Sequence, residues 1–182
     1  MRAELEKFIL KLEDTRRKQG IRYPFNSMML MILIGVSAGH SGYRPLQRFM
    51  AANQAFFESH LHLPHGVPAT MGLRRFIQKL KKDDIVKAFN EWAKECNPIQ
   101  ENSWIAADGK SLGSTKKGLH TKEQTVINMV SFYVPQTGIC LNTGDYELKK
   151  VAEIATIESM LSIFDNKKVI FTMDALHCQK KL

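Results

Sequence analysis

Two stretches decide the fold, Trp104-Ile-Ala-Ala-Asp108-Gly-Lys110 and Val169-Ile-Phe-Thr-Met-Asp174-Ala-Leu-His-Cys-Gln179, because each is a short apolar run that ends on a single carboxylate. Runs of this length and composition read as buried strands. An acid just past a buried strand is held by rigid backbone at the rim of a sheet, where it can grip a divalent metal. Two such acids suggest a metal-dependent, nuclease-like site. The competing reading makes Asp108 a strand-ending turn residue and Asp174 a helix N-cap, both common uses of Asp. On the residues alone, that second reading is the better of the two.

Between these stretches, residues 125–134 and 138–142 read as strands joined by a turn at Pro135-Gln-Thr-Gly138. Residues 149–163 return to helical spacing through Val151, Ile154, Ile157 and Leu161, and residues 168–173 form a last strand. The order strand, strand, strand, helix, strand predicts a mixed sheet whose last strand follows a crossover helix. Upstream, the spacing is helical. An amphipathic helix is expected over residues 1–19, ended by Gly20, then an all-round apolar helix opening at Pro24 and running to about Gly39. Further helices are expected over 44–59, 70–80 and from Asp83-Asp84 to about Cys96, the two acids sitting at the positive end of the last. Asn97-Pro98 breaks the pattern. The expected domains are therefore an all-helical module over 1–98 and a sheet domain over 99–182, an α+β or α/β chain.

The 182 residues allow one ordinary domain, or a small domain with part of another. A formal charge of +8 favours a polyanionic partner, with nucleic acid ahead of an anionic membrane surface. Cys96, Cys140 and Cys178 are odd in number and widely spaced, which argues against a disulfide framework and for a reducing cytoplasm. Residues 28–38 are strongly apolar but span about half of the roughly 20 residues a membrane helix needs, so they read as a buried helix, with Met28, Met29 and Met31 in the core. The acid-bearing N-terminus shows no export signal.

With these elements assigned, Asp108-Gly-Lys-Ser-Leu after a strand and Thr172-Met-Asp-Ala-Leu-His-Cys-Gln-Lys-Lys after the fourth strand resemble insertion-sequence transposases of the H-repeat-associated type. Gly20-Ile-Arg-Tyr-Pro, Ser41-Gly-Tyr-Arg and the segment from Pro68 to Arg75 resemble the helical domain that precedes the catalytic domain in that family. The resemblance implies a ribonuclease H-like catalytic fold that cuts and joins DNA with two Asp and a later Glu around magnesium, or manganese, ions. It makes Asp108 the first acid and Asp174 the second, both metal ligands. Carboxylates suit this chemistry because magnesium prefers hard oxygen ligands, and paired ions activate the attacking oxygen and stabilise the leaving one.

The sequence departs from the family's pattern in two respects. The resemblance puts the third acid on a helix beyond Leu182, while Glu147, Glu153 and Glu158 precede the fourth strand; and Gly113 stands where an Arg is usual shortly after Asp-Gly-Lys. The expectation is a truncated, inactive transposase remnant with an exposed sheet edge. The rival expectation is a non-catalytic DNA-binding protein. Lys110, Lys116, Lys117, His120 and Lys122 form a basic loop after the first acid, read either as a phosphate contact or as a solvated loop. Arg74 and Arg75, with Lys79, Lys81 and Lys82, are candidates to contact transposon-end DNA, or a charged helix face. His60, His62 and His65 lack the spacing of a zinc site, and His177-Cys178 lacks an orienting acid. A homo-oligomer is left open.

Overall fold

The computed structural model describes residues 2–19, 21–96, 98–115, 126–147, 150–164 and 167–173. By its internal contacts the chain divides into two compact units, with the division between Ala88 and Phe89, inside a helix.

The first unit is helical: α1 (Arg2–Leu10), α2 (Phe25–Ser37), α3 (Tyr43–Ala52), α4 (Gln54–His60), α5 (Thr70–Lys79) and the first half of α6 (Lys82–Cys96). α2 is its centre. Met28, Met29, Leu30 and Met31 are all buried, so the methionine cluster packs the core. α2 meets α3 at Gly35, where an added Cβ would lie 2.7 Å from Leu46 Cδ2 and 3.2 Å from Phe49 Cδ1. Asp83 and Asp84 occupy the first turn of α6, as their favourable interaction with the helix dipole predicts.

Two helical expectations are corrected. α1 ends at Leu10 and does not run to residue 19. Downstream, the Asp14 carboxylate accepts from the Arg16 backbone N–H at 3.1 Å, a local side-chain turn that competes with helix. The helix expected over 44–59 is two helices divided at Asn53, whose side-chain amide donates to the Phe49 carbonyl at 2.9 Å. Asn favours such breaks because its side chain satisfies backbone groups that the helix would otherwise use.

The second unit is a four-stranded mixed sheet in the order β3-β2-β1-β4, built from β1 (Trp104–Ser111), β2 (Ile127–Val134), β3 (Ile139–Glu147) and β4 (Ile170–Met173). β1, β2 and β3 are antiparallel neighbours, and β4 joins β1 in parallel after α7 (Lys150–Leu161). One face carries the core, with Ile105, Val130, Phe132 and Leu141 packed with Ile157 and Met160 of α7 and with Phe164. β3 runs past the expected residue 142 to Glu147, because its antiparallel ladder with β2 continues to the Ile127–Glu147 pair, and a bulge interrupts that ladder near its start. Phe132 pairs with Asn142 while Tyr133 pairs with Cys140, leaving Leu141 as the extra residue, turned into the core with Asn142.

The outer side of β3 is tied down by Asn90, on the α6 half that belongs to this unit. Its side-chain amide donates to the Thr143 carbonyl at 2.9 Å and accepts from the Thr143 N–H at 2.8 Å. The amide thus takes the place of a neighbouring strand. Asn90→Ala is expected to cost about 1–3 kcal/mol and to speed hydrogen exchange at Thr143 selectively, because two partly buried backbone groups lose their partner. Unchanged exchange at Thr143 would count against this role.

Candidate functional site

Alternation along β1 sorts its side chains by face. Ile105 and Ala107 are buried in the core, whereas Ala106 and Asp108 lie on the other face and Asp108 is exposed. Asp108 sits inside the strand, not past its end, because β1 continues through Gly109, Lys110 and Ser111. That extension follows from β2. The antiparallel ladder pairs Asp108 with Ser131, Lys110 with Met129 and Ser111 with Asn128, and the Ser111 hydroxyl donates to the buried Asn128 side-chain oxygen at 2.5 Å. The parallel ladder is shorter. Its last rung pairs Ala107 with Met173, and Asp108 and Asp174 are the residues that follow these two partners in sequence. Asp174 itself lies outside the described residues, as do Lys116, Lys117, His120, Lys122, His177 and Cys178.

No described residue is hydrogen-bonded or ion-paired to the Asp108 carboxylate, so its oxygens face solvent as hard donors that fit a divalent cation. Among the described residues no group of three His, Cys, Asp or Glu could hold a metal ion. Two of the three histidines of the 60–65 region, His60 and His65, have side-chain partners in the protein. His60 lies over Phe56 at 4.4 Å with its Nδ1 at 2.8 Å from the Phe56 carbonyl, and His65 packs edge-on to Tyr23. Cys140 lies behind the bulge, where burial pushes its thiol above the ordinary range and makes it a poor nucleophile.

Lys110, Arg74 and Arg75 are exposed. Arg75 borders a concavity of the helical unit together with Lys79, Arg16, Arg17 and Arg22, but its sequence neighbour Arg74 does not. Arg16, Arg17 and Arg22 are not among the sequence candidates for a DNA contact. Their signal is the run Arg16-Arg17-Lys18, which within a helix over 1–19 is only part of its charged side.

Arg16 is held in place there. Its guanidinium donates to both Asp14 carboxylate oxygens at 2.7 and 2.8 Å and to the Tyr23 carbonyl at 3.0 Å. The hydrogen bonds from Arg16 hold the Asp14 carboxyl below its ordinary value. A depressed folded value means the pair stabilises above the unfolded value of about 3.9 and loses that contribution as pH falls through the folded one. The stability gap between the native chain and Asp14→Asn, no more than about 1 kcal/mol for a partly solvated pair, is expected to close as pH falls below about 4 in thermal unfolding. A gap that persists at the acid end would assign it to packing.

Residues 7–93 match the family described as DDE_Tnp_1-associated. Over 176 residues the chain is 27% identical to "Putative transposase YncI" of Escherichia coli O157:H7, covering 96% of this chain and 44% of that protein. The protein of the same name in Escherichia coli strain K12 is also 27% identical, over 96% of this chain and 69% of its own length. "H repeat-associated putative transposase YhhI" of strain K12 is 21% identical over 98% of this chain and 47% of that protein. The chain thus spans less than half the length of the first and third of these relatives. No helix among the described residues is long and apolar enough to cross a membrane.

Proposed function

We propose, for a chain that falls in a transposase-associated family, that it takes part in metal-dependent cutting and joining of DNA, with Asp108 and Asp174 as two carboxylates of the metal site and with a ribonuclease H-like sheet as scaffold. The observation that carries this reading is the parallel register of β1 and β4, which ends at the pair Ala107 and Met173, one residue before each acid. Rigid adjacent strands are the support a carboxylate pair needs to hold a cation at fixed spacing. The mixed order β3-β2-β1-β4, with its crossover through α7, is consistent with that scaffold. When bound, magnesium or manganese would activate an attacking oxygen and neutralise charge on the phosphate. The protein's share is to orient Asp108 through the Ser131 rung and to offer Lys110, on the same strand, to the DNA backbone. Lys116, Lys117 and Lys122 extend that basic segment in sequence, and Arg74 and Arg75 supply further phosphate contacts on the helical unit. These contacts would be salt-sensitive and indifferent to base sequence.

The test pairs calorimetric Mn²⁺ titration with plasmid nicking. Asp108→Asn and Asp174→Asn are each expected to weaken Mn²⁺ binding by about tenfold or more, the loss of one charged ligand, with DNA affinity held within about twofold. Unchanged metal affinity in both variants would sink the assignment. Magnesium-dependent nicking that Asp174→Ala abolishes supports the enzyme reading. A second reading, a DNA-binding protein without catalysis, draws on the exposed cations of the helical unit, Arg74 and Arg75, which could hold phosphates whether or not a metal site forms. Salt-sensitive DNA binding without nicking would select it.

A further inference from the structure

The segment after α1 and one face of α5 enclose a concavity of about 480 Å³ in the helical unit, within the roughly 300–1,000 Å³ typical of small-ligand sites. Its rim is cationic. Arg17, Arg22, Arg75 and Lys79 are exposed, and no described carboxylate pairs with any of them. Its wall is apolar, contributed by Ile21, Met28 and Phe76, with open space at Gly72, where an added Cβ would meet nothing within 4 Å. Arg16 stands between rim and wall. Its guanidinium lies 5.0 Å from the Phe76 ring centroid and 5.8 Å from that of Phe25, fixed by Asp14 and the Tyr23 carbonyl.

Each part of this arrangement matches one part of a nucleotide. Unneutralised cations take phosphate oxygens, and a fixed guanidinium plane beside apolar side chains offers a stacking surface for a base. A paired base within a duplex cannot use the wall, because its faces are already stacked on its neighbours; a duplex would touch the rim through phosphates only. We propose that this concavity receives one unpaired nucleotide of a DNA strand, its base against the Arg16, Ile21 and Gly72 wall and its phosphate on the Arg17, Arg22, Arg75 and Lys79 rim. The proposal rests on DNA being the partner and adds a strand-holding site separate from Asp108.

The open space at Gly72 supplies the test. Gly72→Trp in the whole chain puts a bulky side chain where an added Cβ meets nothing within 4 Å, Gly72→Leu does so without offering the base an aromatic face, and the binding of both is read by fluorescence anisotropy with a labelled oligothymidylate and with a labelled mixed-sequence duplex. Oligothymidylate affinity is expected to fall by about tenfold or more, the loss of one stacked base, while duplex affinity stays within about twofold. The double variant Arg75→Glu, Lys79→Glu is expected to weaken both probes and flatten the salt dependence. Unchanged oligothymidylate affinity in both Gly72 variants overturns the proposal, as does displacement of the oligonucleotide by micromolar free dATP, which would assign the pocket to a free nucleotide. If Gly72→Trp lowers the unfolding midpoint, Gly72→Leu, which is smaller and favours helix, decides alone. Binding of neither probe by the native chain would overturn DNA as the partner; duplex binding without strand binding would overturn the pocket alone.

Discussion

Phe132→Ala is expected to lower the stability of the sheet unit by about 3–5 kcal/mol, the usual cost of emptying a fully buried aromatic site. Phe132 has no exposed surface, and its ring lies 5.6 Å from Phe164 and 5.7 Å from Phe171, which are themselves 5.1 Å apart. Three rings from β2, the turn after α7 and β4 therefore close on one point, and removing the central one opens a void that none of these elements can fill by moving alone. The effect reaches the candidate site. Phe132 pairs with Ala107, the residue before Asp108, and its contact with Phe171 helps to hold β4 beside β1. Denaturant unfolding followed by tryptophan fluorescence isolates this unit, because both tryptophans of the chain, Trp92 and Trp104, belong to it. Phe132→Leu, which keeps much of the volume, should lose well under half as much; equal losses would mean that ring geometry, not cavity volume, governs the site.

The second large effect is expected at Gly144, where α7 packs closely on β3. An added Cβ would sit 2.9 Å from Met160 Sδ and 3.0 Å from Thr156 Cγ2. Met160 is flexible and can yield, but Thr156 is β-branched and has little rotamer freedom in a helix. Gly144→Val should therefore cost about 1–3 kcal/mol by overpacking, with Gly144→Ala at the lower end. Thr156→Ser removes the obstructing methyl and is expected to recover part of the Gly144→Ala loss, a coupling readable as a double-mutant cycle. Strict additivity of the two changes would show that backbone freedom at Gly144, and not crowding by α7, sets the cost.

What could be read from the sequence divides along the range of the forces involved. α2, α5 and α6 follow from local signals: an apolar run of limited length after Pro24, helical spacing after Pro68, and paired acids at a helix start. The mixed sheet and its crossover follow from strand order and the handedness of parallel connections. Elements whose ends depend on side-chain competition differ from their sequence expectation. The turn at Asp14 and the break at Asn53 arise from hydrogen bonds that helical periodicity does not register. The length of β1 was likewise invisible, because Gly109, Lys110 and Ser111 extend the strand only through pairing with β2.

By itself, the sequence determined the helical character of the first unit and the order of strands and helix along the second, since hydrophobic period and capping act over a few neighbouring residues. Tertiary structure alone decided the parallel register that ends at Ala107 and Met173, and the closure of Arg16, Arg17 and Arg22 onto Arg75 and Lys79. Both depend on contacts between residues distant in the chain, and those form only when burial of the shared apolar surface offsets the entropy of bringing the segments together.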